Sequence, residues 1–214
     1  MGLVSASNNP DLFLALIIAF IYAITVHEFA HAYVGNLLGD HTPKTQGRIT
    51  LNPMRHLDPM GTLLLVLAGF GWGKPVLVNP HNFVCGARKG MAYVAIAGPA
   101  SNLASAAILS PIARSIMGGN DFGGDFFPLL IFMLIQVNIL LAIFNMIPVP
   151  PLDGFSVLLG IVDRSTAIQL ESFRKHGPIV LIALLFVGPL LGVNFIGQLV
   201  GQPTTILVDI LING

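Results

Sequence analysis

Long apolar runs constrain this chain more than any other feature. Residues 12–38 read LFLALIIAFIYAITVHEFAHAYVGNLL, in which Glu28 is the one residue with a full charge at neutral pH. About 20 apolar residues cross the hydrocarbon core of a bilayer as a helix. Residues 12–38 meet that length, as do 91–117, 127–147 and 177–200. Only 9% of the chain is charged and its mean hydropathy is +0.81, whereas soluble domains carry about 25% charged residues. There is too little polar surface to face water. The expected fold is an α-helical, multi-pass integral membrane bundle of about four to six helices, forming a single domain over residues 1–214.

The interruptions in those runs are informative. The chain has 23 glycines and 15 prolines, and a membrane tolerates broken backbone only where protein or a water-filled cavity satisfies it. An internal polar site is therefore expected. Residues 57–73 (LDPMGTLLLVLAGFGWG) are apolar but short, which suits a re-entrant segment. Residues 74–80 (KPVLVNP) bracket β-branched side chains with prolines, as a short edge strand does. Gly188–Pro189 should kink or break the run 177–200, and the apolar tail 204–212 is too short to span alone.

Ten basic and ten acidic residues balance, so nothing favours a nucleic-acid partner. The single cysteine, Cys85, excludes an intrachain disulfide and a cysteine-rich metal cluster. Basic residues mark the cytoplasmic ends of spans. Lys44, Arg48, Arg55, Lys74, Arg88 and Lys89 lie between the first two runs, and Arg164, Arg174 and Lys175 between the third and fourth. Both loops are expected on the cytoplasmic side, with the N-terminus outside. The loop 118–126 carries only Asp121 and Asp125, while Arg114 is expected to snorkel to the outer interface. No signal peptide or targeting segment is recognised at the N-terminus, which points to a prokaryotic cell membrane.

A charged side chain at mid-membrane costs roughly 2.5–3.5 kcal/mol on insertion scales, so His27, Glu28 and His31 call for a partner. His27–Glu28–Phe29–Ala30–His31 reads H-E-x-x-H. Positions i and i+4 share a helix face, so both imidazoles can reach one metal ion. Glu28, turned about 100° from His27, can then serve as a general base on metal-activated water. The competing reading is a set of structural polar contacts between helices. A hydrolytic zinc site commonly takes three protein ligands. In FNMIPVPPLDG (144–154), prolines stop the helix near Asn145, and Asp153 follows at the same membrane depth as the histidines. On spacing alone Asp153 is as readily a solvated turn residue as a ligand.

H-E-x-x-H in one span and N-x-x-P-x-x-P-x-D-G at the end of a later one together resemble the site-2 protease family of intramembrane zinc metalloproteases. The second motif runs from Asn145 through Pro148 and Pro151 to Asp153 and Gly154. GPASN (98–102) and GRITLNPMRHLDPMG (47–61) are also similar to stretches of smaller members, and the likeness covers about residues 20–160. The resemblance implies one zinc ion per chain, bound by His27, His31 and Asp153. It implies Glu28 as the base and Asn145 as a residue that holds substrate or steadies the oxyanion; an interhelical hydrogen bond is the plainer role for Asn145. Asn102 and Asn138 are expected to tie helices together or orient the site. His56 and Asp58 should order a membrane-edge turn, and His41, His81 and His176 should be solvated.

The expected activity is that of a zinc-dependent endopeptidase cutting other membrane proteins in or near their transmembrane segments, with its active site toward the cytoplasm. Its partners are the membrane-protein substrate, the lipid bilayer and a regulatory membrane partner. Neither an inserted peptide-binding domain nor a regulatory domain is visible. Two alternatives stand beside this reading. One is another membrane zinc hydrolase whose third ligand is Glu171, the only other glutamate. The second is a metal transporter or sensor, although transporters tend to repeat their ligands between halves.

Overall fold

The computed structural model describes residues 9–68, 71–117, 125–190, 192 and 197–214. Helix α1 spans Pro10–Leu37. It starts because Asn9 accepts a hydrogen bond from the Leu12 amide at 3.2 Å and Pro10 has no amide hydrogen to leave unpaired. It stops at Gly39, whose φ of 105° is one that a side chain rarely permits. Ala15, Ala19, Ala23, His27, His31 and Gly35 recur every fourth residue, and all six are buried. This stripe of small residues admits neighbouring backbones closely. The two histidines continue it, so they face inward for the same geometric reason as the alanines.

Helix α2, Pro59–Ala68, has ten residues and is too short to cross a bilayer. Asp58 caps it by accepting from the Gly61 amide at 2.9 Å, and Leu65 packs on Leu12, Phe13, Leu16 and Phe20 of α1. The chain then returns to Gly73, which pairs with Leu57 in an isolated antiparallel bridge. This dip along α1 and back is the re-entrant piece read from residues 57–73. Residues 74–79 take no regular secondary structure and, among the described residues, form no ladder, so the expected edge strand is not formed: the Lys74, Val76 and Asn79 amides bond instead to the His56 carbonyl, Glu28 and Asp40.

Helices α3 (Ala87–Met117) and α4 (Phe126–Asn145) complete the set of three described helices that are long and apolar enough to span. They pack on α1 and on each other. After the proline-rich turn come α5 (Asp153–Ile161) and α6 (Arg164–Glu171). The fourth apolar run is helical but broken: α7 (Gly177–Ile182) passes into a π-helical stretch, Ala183–Val187, just before Gly188–Leu190. Pro189 cannot donate a backbone hydrogen bond, which accounts for the widened turn ahead of it. A second π turn, Gly197–Gly201, leads into α8 (Gln202–Asn213).

The largest apolar core joins Ala106 and Ala113 of α3, Ile131, Ile135 and Ile139 of α4, and Val208 and Ile212 of α8. Arg114 does not simply snorkel. Its guanidinium donates to the carbonyls of Leu211 (2.8 Å) and Ile210 (3.1 Å), capping the end of α8. Asp121, in the outer loop of the charge argument, lies outside the described residues.

Candidate metal centre

Three elements meet at His27. Its Nε2 lies 3.0 Å from Asp153 Oδ2, and His31 Nε2 lies 3.3 Å from the same oxygen. The candidate ligand atoms of His27, His31 and Asp153 all fall within 4.8 Å of one another. The structure thus joins two motifs that lie far apart in sequence. Asp153 arrives because Ile147, Leu152 and Leu181 pack the proline-rich turn down after α4. Gly154 also sits so close to Met146 that a Cβ there would lie 2.2 Å from its carbonyl oxygen. Gly160 of α5 meets Ala92 of α3 with similar closeness, which seats α5 against the bundle.

The donor set fits a metal ion. His31 Nδ1 lies 2.7 Å from the Val94 carbonyl oxygen, which only accepts, so Nδ1 carries the hydrogen and Nε2 of a neutral ring presents a lone pair. His27 Nδ1 donates in the same way to Asn102 Oδ1 at 2.6 Å. Two bare imidazole nitrogens and a buried carboxylate oxygen with no hydrogen-bond donor therefore converge. Such a group of acceptors calls for a cation, and two imidazoles with a carboxylate suit zinc. Gly98 keeps the space beside the rings clear: a Cβ there would stand 2.5 Å from His31 Nε2 and 2.6 Å from His27 Cε1.

Glu28 is outside this triad, as a base rather than a ligand would be. Its Oε2 accepts from the Val76 amide at 3.1 Å and lies 3.6 Å from Arg48 Nη2. Arg48 is 4% exposed, and its guanidinium also donates to the carbonyls of Arg55 and Lys74. In the sequence Arg48 stands among the loop charges and inside the stretch 47–61 that is similar to smaller family members, with no role assigned to it. Its signal was its place in GRITLNP, a polar patch beside an apolar re-entrant segment. Burial and the Arg48 charge push His56 below the usual imidazole range, against the pull of its bond to the Thr50 carbonyl. His56 and Asp58 thus order the turn before α2, as expected.

Asn145 is not brought into contact with the triad. It ends α4 with its amide turned back onto the Leu141 carbonyl at 2.9 Å. Glu171, the alternative ligand, is exposed and bound to Arg174 at 2.6 Å. His41, His81 and His176 are exposed, in keeping with their reading as solvated.

The model of peptidase family M50 matches residues 124–188. YwhC of Bacillus subtilis, named as a candidate zinc metalloprotease, is 40% identical over 182 residues, covering 82% of this chain and 81% of its own length. The chain belongs to peptidase family M50, the site-2 proteases. It is a zinc metalloendopeptidase with membrane-spanning helices. This M50 peptidase is also similar to Rip2 of Mycolicibacterium smegmatis, 29% identical over 81% of this chain and 67% of its own length. Rip2 of Mycobacterium tuberculosis is 30% identical over 86% and 71%. Both carry the same candidate zinc metalloprotease description. No solved structure gives a significant match.

Proposed function

We propose that this M50 peptidase cleaves peptide bonds of other membrane proteins within or beside their transmembrane segments, at a site formed by His27, Glu28, His31 and Asp153 and reached from the cytoplasmic side. One observation carries the reading: two members of the convergent ligand group, His27 and His31, lie buried on a helix apolar and long enough to span. His27, His31 and Asp153 hold the zinc ion, which when bound supplies Lewis acidity and water that ionises near neutral pH. Glu28 takes the proton of the attacking water and returns it to the leaving amine. Its carboxylate is held for that task by the Val76 amide and the Arg48 guanidinium. Asn145, whose Oδ1 and second amide hydrogen have no partner among the described residues, turns toward the oxyanion when substrate is bound.

A helical substrate hides its peptide bonds and must unwind. The segment at residues 74–79 offers a point of pairing for it at Leu77, whose amide makes no hydrogen bond among the described residues. The test uses purified protein in detergent and a panel of single-span membrane proteins. Wild type should cleave at least one of them, and Glu28→Gln should retain zinc while losing cleavage by a factor of about 10² or more. Full cleavage by the variant, or wild type that holds zinc and cuts none of the panel, would remove the protease reading in favour of a metal-binding role.

A further inference from the structure

The ligand triad leaves unexplained two fully buried asparagines, Asn102 on α3 and Asn138 on α4, each 0% exposed. Their bonds run in one direction. Asn138 Nδ2 donates to the Leu134 carbonyl at 2.7 Å, which fixes its Oδ1 as the end facing α3. That oxygen accepts from Asn102 Nδ2 at 2.8 Å, and the same nitrogen donates to the Ala23 carbonyl at 3.0 Å. Both hydrogens of Asn102 are thereby committed. Its oxygen is the end left for His27, and Nδ1 of that ring must be the one carrying hydrogen. Each step is a backbone or side-chain acceptor that admits one orientation of the group before it.

We propose that Asn138 and Asn102 form a relay that sets the His27 ring for metal binding, so that Asn138, which touches no ligand, governs zinc affinity as a positioning residue. If the relay is broken at Asn138, Asn102 loses one of the two acceptors that set its orientation, and the flipped amide, which presents its NH2 to His27, is opposed only by the Ala23 carbonyl. The ring then accepts at Nδ1, and Nε2 holds the hydrogen where the metal must bind. The inference rests on the zinc-site part of the proposed function and not on peptide hydrolysis.

Zinc alone is the probe. Metal-free protein in detergent is titrated against a competing chelator, for wild type, Asn138→Leu and Asn138→Asp, with thermal unfolding as a control. Asn138→Leu should weaken zinc binding roughly 10-fold, the lower end of the loss of an outer partner, because the Ala23 carbonyl still holds Asn102. Asn138→Asp should stay within about threefold of wild type. Its carboxyl, neutral in this buried setting, donates one O–H to Leu134 and accepts from Asn102 as the amide does. Wild-type affinity in a folded Asn138→Leu protein overturns the relay, as does equal loss in both variants. If neither variant folds, nitrogen NMR of histidine-labelled, metal-free wild type decides: His27 with hydrogen on Nδ1 supports the relay and hydrogen on Nε2 overturns it. Wild type that binds no zinc at all would sink the metal site itself, a separate failure.

Discussion

At the scale of single residues, the site contrasts ligands that sequence exposes with supports that it conceals. His27 and His31 are legible because helical spacing places them on one face, and Glu28 because it is a lone charge in an apolar run. Asp153 is legible only as a possibility, since its role depends on how a proline-rich turn closes. Arg48 is illegible for a plainer reason: a loop arginine reads as solvated until burial is known. Buried, it ties Glu28 to the carbonyls on either side of the re-entrant loop. Arg48→Lys keeps the charge but cannot spread it over three directions. The variant should hold zinc normally and cleave roughly 10- to 100-fold more slowly, the scale of a small misplacement of a catalytic group. Unchanged turnover at normal zinc content would show that the contact is structural only.

At the scale of elements, the loop after α1 and the loop before α3 are stitched by one buried carboxylate. Asp40 accepts from the Thr42 amide and hydroxyl, the Asn79 amide at 2.7 Å and the Asn82 side chain at 2.8 Å. Burial opposes its ionisation, but these donors together hold its carboxyl below the ordinary value of 3.8. A lowered acid pKa contributes stability above the unfolded value and loses it as pH falls through the folded one. Thermal unfolding in detergent should therefore show an acid-side loss beginning near pH 4 in wild type. Asp40→Asn should be about 1–3 kcal/mol less stable at neutral pH, because its NH2 must face a donor, and should lack that acid step. The segment leaving this knot, residues 74–79, invites a sharper test than sequence alone could frame. Proline at Val76 would also remove the amide that holds Glu28. Leu77→Pro spares it, and should abolish cleavage while leaving zinc content intact if substrate pairs at Leu77; normal cleavage would exclude strand addition there. The strand expected here is not formed, because an unpaired run and a paired one share the same residues until a neighbouring chain is in place.

At the scale of the whole molecule, three apolar helices and a bundle around them follow from run length alone, whereas the broken path after Gly177 does not. There Gly and Pro weaken the periodicity on which a helix boundary depends, and the packing of α8 against α3 and α4 decides the path instead. Orientation can be read from the single thiol. Cys85 is half-buried in the loop before α3. A membrane-impermeant maleimide should label it in inverted vesicles and not in right-side-out ones; the reverse pattern would turn the proposed topology over. The division of the ligands between α1 and the start of α5 also has a bearing on biosynthesis. Ribosomes add roughly 5–20 residues per second, so on the order of ten seconds separates the synthesis of His31 from that of Asp153. Through that interval the nascent chain carries two of the three proposed zinc ligands and cannot complete the site. On the proposed ligand set, the site is complete only once Asp153, which follows the third described span, has been made.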